Sequence, residues 1–214
     1  GAALIHIHRR DAEHRPTLDL GLLREAVAAV REATDLVVQL STGGSVHDGY
    51  AARLAVLDAA PDSCSLTCGT VNFGDDIFNN PMPFMSELYV AAQEREIVPE
   101  LPIFEVGHLW APDRLVALHA CLAALPEMVT SWSATGIGRG HLPVLAAALA
   151  AGGHARVGME DNIVFARGQV VQHNAELVTR AAEIATLLQR PPLTTGDARA
   201  LPGITPAAEA PTAS

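Results

Sequence analysis

Six short runs rich in Val, Ile, Leu and Thr recur along this chain of 214 residues, each followed by a stretch whose apolar residues return every three or four positions. The interval is about thirty residues, as parallel strands joined by helical crossovers require. A βα array is therefore expected. Its strands are Ala3–His8, Leu36–Ser41, Ser63–Val71, Leu101–Val106, Val129–Thr135 and His154–Glu160. Leu23, Val27 and Val30 form one helical stripe after Asp19, and Leu115, Leu118 and Leu122 form another behind Pro112, a residue suited to a first helical turn. Leu142, Leu145 and Leu149 repeat the pattern up to Gly152-Gly153, and the last helix carries Leu177, Ile184 and Leu188. Beyond Arg190 the chain is rich in Pro, Ala and Thr and poor in large apolar side chains. Residues 1–190 are thus expected to form a (β/α) catalytic domain, and 191–214 a mobile tail.

Such a repeat permits an open doubly wound sheet or a closed barrel. Polar residues decide between them. His6 and His8, Ser41 and Thr42, Thr70 and Asn72, Glu105 and His108, Thr135 and Arg139, and Glu160 and Asp161 all fall at or just past C-terminal strand ends. In a barrel those ends converge on one mouth, so a closed βα barrel is expected. Thr42-Gly43-Gly44-Ser45 and Gly136-Ile137-Gly138-Arg139-Gly140 follow strands and suit either plain turns or an anion cradle, and neither completes a dinucleotide or Walker fingerprint.

Charge narrows the class of partner. A formal net charge of −10 argues against nucleic acid and against an anionic membrane surface. Cys64, Cys68 and Cys121 lack paired C-x-x-C spacing, so reduced thiols are expected rather than disulfides or a cysteine metal site. No basic-then-apolar leader is visible, and no apolar run approaches the ~20 residues of a membrane span. The expectation is a soluble, cytoplasmic protein.

His6 and His8 stand two apart on one strand, so their side chains share a face and both rings can reach one cation. With a carboxylate from Glu160-Asp161 the set suits zinc, and a two-His-one-carboxylate face also suits iron(II).

Several strings together resemble one family, the β-keto acid cleavage enzymes, whose best-known activity is 3-keto-5-aminohexanoate cleavage. They are His6-Ile7-His8-Arg9-Arg10-Asp11, Gln39-Leu40-Ser41-Thr42-Gly43-Gly44, Ser65-Leu66-Thr67-Cys68-Gly69-Thr70-Val71-Asn72-Phe73 and Gly107-His108-Leu109. Trp132-Ser133, Gly136-Ile137-Gly138-Arg139 and Arg156-Val157-Gly158-Met159-Glu160-Asp161-Asn162 follow in the same order. The resemblance implies a zinc-dependent (β/α)8 barrel, homo-oligomeric, that converts a β-keto acid and acetyl-CoA into acetoacetate and a new acyl-CoA. It implies His6, His8 and Glu160 as zinc ligands, Ser41, Gly44, Thr70 and Asn72 as substrate contacts, and Arg156 with Asp161 as the catalytic pair. His108 and Arg139 stand at the same mouth, where CoA phosphates, a partner subunit or a structural hydrogen bond would each suit them. Trp132 reads as packing.

Against the family pattern the sequence opens on what would be the second strand, so the first strand unit is expected to be absent, with a substrate-site glutamate. The segment between His108-Leu109-Trp110 and Pro112-Asp113-Arg114 is also too short for a sixth unit. Six strands remain where closure takes eight. Two other readings follow: a truncated, non-catalytic homologue that binds metal or joins other subunits, and a metal-dependent barrel hydrolase or aldolase that works without CoA.

Overall fold

The computed structural model describes residues 1–102, 118, 121–123, 125, 127 and 129–201. The chain divides into two compact units, Ala3–Phe104 with Leu193–Ser214, and Gly1–Ala2 with Glu105–Pro192.

In the first unit the order is β1 (Leu4–Ile7), α1 (Leu20–Ala33), β2 (Val37–Ser41), α2 (Tyr50–Ala55) running into a 3-10 turn (Val56–Ala59), β3 (Ser63–Ser65), β4 (Val71–Phe73), β5 (Asp76–Phe78), α3 (Met82–Glu94) and β6 (Val98–Glu100). Strands β1, β2, β3 and β6 form a parallel sheet in that order. All five residues of β2 are buried, which suits a strand covered on both faces. Val38 and Leu40 pack with Leu23 and Val27 of α1, the stripe that the periodicity predicts. Asp19 begins that helix by accepting a 2.9 Å hydrogen bond from the Leu22 amide. A second core joins Leu57, Cys64 and Leu66 to Phe84, Leu88 and Ala92 of α3.

The second unit contains β7 (Ser133–Ala134), α4 (His141–Ala150), β8 (His154–Ala155), β9 (Val164–Ala166), β10 (Gln169–Val170) and α5 (Asn174–Leu187). β7 and β8 pair in parallel, and β9 and β10 form an antiparallel hairpin. Helix α4 ends where Gly152 takes φ +93°. Arg190 then donates to the carbonyls of Leu149, Gly152 and Gly153, satisfying the end of the helix. Gly153 lies under Trp132: a Cβ there would come within 2.4 Å of the indole, which makes the tryptophan a packing residue.

Several expected elements differ. Ser63–Val71 is not one strand: β3 stops at Ser65, and Gly69, at φ +84°, precedes the β4–β5 hairpin. The strand expected at Leu101–Val106 begins earlier, at Val98, and residues 103–106 lie outside the described ones. The same holds for most of the expected helix carrying Leu115, and for Glu105 and His108. No element was expected beyond Arg190, yet α6 (Thr195–Ala200) follows. Charge rather than apolar burial holds it: Arg199 reaches the buried Asp62 at 3.3 Å, beside Arg31 at 3.0 Å. Residues 202–214 of that expected tail lie outside the described ones.

Among the described residues the parallel strands form a sheet of four and a pair, and no closed barrel. Six are too few for the eight-strand closure. No helix among them is long and apolar enough to cross a membrane.

Candidate active site

Strand register builds one cluster of candidate residues. His6 lies opposite Gln39, and Gln39 opposite Ser63, so one polar row crosses three strands. The next row runs Ser41, Ser65, Glu100 toward the C-terminal ends. These residues alternate with Val38 and Leu40 and therefore occupy the sheet face away from α1.

Within the first row, His6 Nδ1–H donates to Gln39 Oε1 at 2.5 Å, and Gln39 Nε2–H donates to Ser63 Oγ at 3.0 Å. A carbonyl oxygen only accepts, so the bond fixes the His6 proton on Nδ1 and leaves Nε2 as the lone-pair nitrogen. That Nε2 stands 3.0 Å from Nε2 of His8, the rings meeting edge to face. Two imidazole nitrogens therefore converge on one point.

The strand-end loop after β2 is tightly held. Ser41 Oγ donates to the Gly43 carbonyl at 2.9 Å, and Thr42 Oγ1 to the Ser65 carbonyl at 2.5 Å. Gly44 has no room for a side chain, since a Cβ would meet Asp48 Oδ2 at 2.5 Å and Leu18 at 2.8 Å. Thr70 Oγ1 accepts from the Asn80 amide at 2.9 Å, and Asn72 lies exposed on the β4–β5 hairpin opposite Ile77.

Arg53, which sequence reasoning missed, joins these loops. Its guanidinium is 1% exposed and donates to the Thr42 carbonyl, the Asn79 carbonyl and Asn80 Oδ1, with the Phe78 and Phe84 rings 4.3 and 4.5 Å away. Burial lowers its pKa to about 10. In the sequence Arg53 is one arginine on an amphipathic helix, and only long-range contacts reveal its role.

A second cluster of candidate residues lies in the other unit. Arg156 pairs with Glu160 and stands 3.8 Å from Asp161 Oδ2. The loop between them is pinned where Met159 N–H donates to Asn174 Oδ1 at 2.8 Å and Gly138 N–H to the Asp161 carbonyl at 2.9 Å. Burial raises the Asp161 pKa, with Arg156 acting against the rise and Glu160 adding to it. Asp161 Oδ2 is buried without a hydrogen-bond partner among the described residues, an acceptor left for a donor from outside.

The structure thus brings His6 to His8, links the loops of Ser41, Gly44 and Thr70 through Arg53, and gathers Arg156, Glu160 and Asp161. The two histidines belong to one compact unit and Glu160 to the other. Among the described residues no three His, Cys, Asp or Glu side chains form a metal-holding group.

The family model of the beta-keto acid cleavage enzymes matches residues 1–118 and 110–204. The 3-keto-5-aminohexanoate cleavage enzyme of Fusobacterium nucleatum is 32% identical over 225 residues, covering 93% of this chain and 82% of the relative. The 3-dehydrocarnitine:acetyl-CoA trimethylamine transferase of Rhizobium meliloti is 32% identical, covering 86% of this chain and 77% of its own. The 3-oxoadipate:acetyl-CoA acetyltransferase of Cupriavidus necator is 28% identical, covering 95% and 82%.

Proposed function

The chain belongs to the beta-keto acid cleavage enzyme family, and from that premise we propose that it converts a β-keto acid and acetyl-CoA into acetoacetate and an acyl-CoA. The observation that carries this reading is the convergence of the His6 and His8 Nε2 atoms, with the His6 tautomer fixed by Gln39. Such a donor pair fits zinc, and Glu160 completes the set in this proposal. Bound zinc supplies a Lewis acid that acidifies the C2 proton of the keto acid.

The rest of the chemistry falls to side chains. Asp161 takes the C2 proton; its burial raises its basicity above that of an exposed aspartate, with Arg156 acting against the rise. Arg156 orients both carboxylates of the loop. The carbanion formed at C2 attacks the acetyl carbonyl and expels the CoA thiolate. That thiolate then attacks the original keto carbon, breaking its bond to C2, and the C2 carbanion so released takes back the proton held by Asp161 to leave acetoacetate and the acyl-CoA. Thr70 and Asn72 donate hydrogen bonds to substrate oxygens, Ser41 turns its hydroxyl proton from the Gly43 carbonyl to do the same, and Gly44 lets the backbone approach closely.

A (β/α)8 barrel, a homo-oligomeric state and a cytoplasmic location go with this reading. The alignment with the Fusobacterium enzyme spans 225 residues against the 214 here. That supports an internal segment which the relative carries and this chain lacks. The test is coupled detection of acetoacetate from acetyl-CoA and a panel of β-keto acids, alongside metal analysis of the purified protein. Stoichiometric zinc with no acetoacetate from any acid would reject the reaction and spare the metal site.

A further inference from the structure

The second unit holds a cleft of about 640 Å³ between residues 137–142 and 159–167, to which α5 contributes Arg180. Its charge is unusual for this chain. Acidic residues outnumber basic ones 24 to 14, yet Arg139, Arg167 and Arg180 line this one cleft. The acidic wall, Glu160 and Asp161, already faces Arg156. Arg139 and Arg167 are exposed and form no ion pair among the described residues.

Arg180 is set rather than free. Its Nη1 donates to the Phe165 carbonyl, and its guanidinium lies 4.4 Å over the Phe165 ring. The remaining Nε and Nη2 are buried and have no acceptor among the described residues. They are neighbouring donors on one edge of the guanidinium fork, the edge that binds phosphate or carboxylate with two parallel hydrogen bonds. Leaving charged donors unsatisfied is costly, so the pair points to an acceptor brought by a ligand.

His141 is a second, independent pointer. It lines the same cleft, is 2% exposed, and holds Nδ1 against the Gly136 carbonyl at 3.3 Å. Nε2 is then an acceptor, buried and without a hydrogen-bond partner among the described residues. Leu142 and Ile163 add exposed aliphatic surface to the walls. A ligand that fits this lining has an anionic group, an N–H or O–H donor and some apolar area.

We propose that this cleft binds the phosphate-bearing end of the CoA thioester, with Arg139, Arg167 and Arg180 on the phosphates and His141 accepting from a hydroxyl or amide of the same molecule. The assignment rests on the proposed use of acetyl-CoA, and it deepens that reading by locating the co-substrate. An inorganic phosphate would meet the same arginines but would leave His141 and the aliphatic walls unused.

The test compares acetyl-CoA with S-acetylpantetheine, which lacks the nucleotide and phosphates, in the wild type and in an Arg139→Gln/Arg167→Gln double variant. The variant should lose about 10- to 100-fold of the kcat/KM preference for acetyl-CoA over acetylpantetheine. A preference within twofold of the wild type would overturn the assignment while acetoacetate formation stands. Direct titration separates the proposal from the reaction. Adenosine 3′,5′-bisphosphate should bind wild type at least tenfold more tightly than the double variant, whether or not the wild type turns over. Inorganic phosphate binding as tightly as the nucleotide would reduce the cleft to a simple anion site and reject the CoA assignment.

Discussion

Gln39 Oε1 accepts the Nδ1 proton of His6 at 2.5 Å while its own amide is held by Ser63 Oγ at 3.0 Å. The glutamine therefore sets both the tautomer and the rotation of the ring. Gln39→Leu keeps the strand apolar and removes that constraint. Zinc affinity should fall about 10- to 100-fold, as is usual when a ligand's outer hydrogen bond is lost. Competition with a chromogenic chelator measures it. Unchanged affinity in a folded variant would show that Gln39 does not position a ligand.

Arg53 is buried against three acceptors from two loops. Arg53→Met fills similar volume but strands the Thr42 and Asn79 carbonyls and Asn80 Oδ1. Stability should fall by about 3 kcal/mol, read from urea midpoints, since each bond to a charged donor is worth roughly 1.5–3 kcal/mol and the losses overlap. Arg53→Lys should recover less than half, because one ammonium cannot reach acceptors spread around a planar fork. In active protein, KM for the keto acid should rise before kcat falls, as the loops of Ser41 and Thr70 loosen.

His141 is buried, and desolvation holds its pKa below the usual 6.5, with the charge of Arg180 acting in the same direction and the Gly136 carbonyl against it. The unfolded chain takes up a proton near 6.5 while the folded one does not. Stability from this group is thus present above 6.5 and is lost as pH falls through the folded value. His154 shifts the same way, through burial and Arg190. His141→Gln removes one of the two titrations, so urea midpoints between pH 7.5 and 5 should fall less steeply than in the wild type. Parallel slopes would place the acid sensitivity elsewhere.

The strands carrying His6 and Ser41 were legible because alternation and βα spacing are local signals, and the structure sets β1 and β2 side by side in parallel. The stripe of Leu23 and Val27 was legible for the same reason. Gln39 was not: its role comes from lying opposite His6 across a register between residues 33 positions apart. Arg53 and His141 escaped notice because a buried polar residue on a helix looks, in sequence, like an exposed one. The β4–β5 and β9–β10 hairpins were missed because each strand has only two or three residues, too few for a period-two pattern. Helix α6 was missed because an ion pair to Asp62, rather than apolar spacing, docks it.

Glu160 and Asp161 are adjacent yet differ in environment: Glu160 is exposed and paired with Arg156, whereas Asp161 is largely buried, its Oδ2 lacking a hydrogen-bond partner among the described residues. The proposed roles divide accordingly, ligand for the first and base for the second. Asp161→Asn removes the proton acceptor and leaves the ligand. It should lower kcat by about 10²- to 10⁴-fold while zinc content stays near that of the wild type. Glu160→Gln should lose zinc and turnover together. Arg156→Lys preserves one charge but not the fork that reaches both carboxylates, so its kcat should fall between wild type and Asp161→Asn. Metal stoichiometry and kcat measured on the same preparations separate the roles. Zinc lost in Asp161→Asn but kept in Glu160→Gln would reverse the assignment of the two carboxylates.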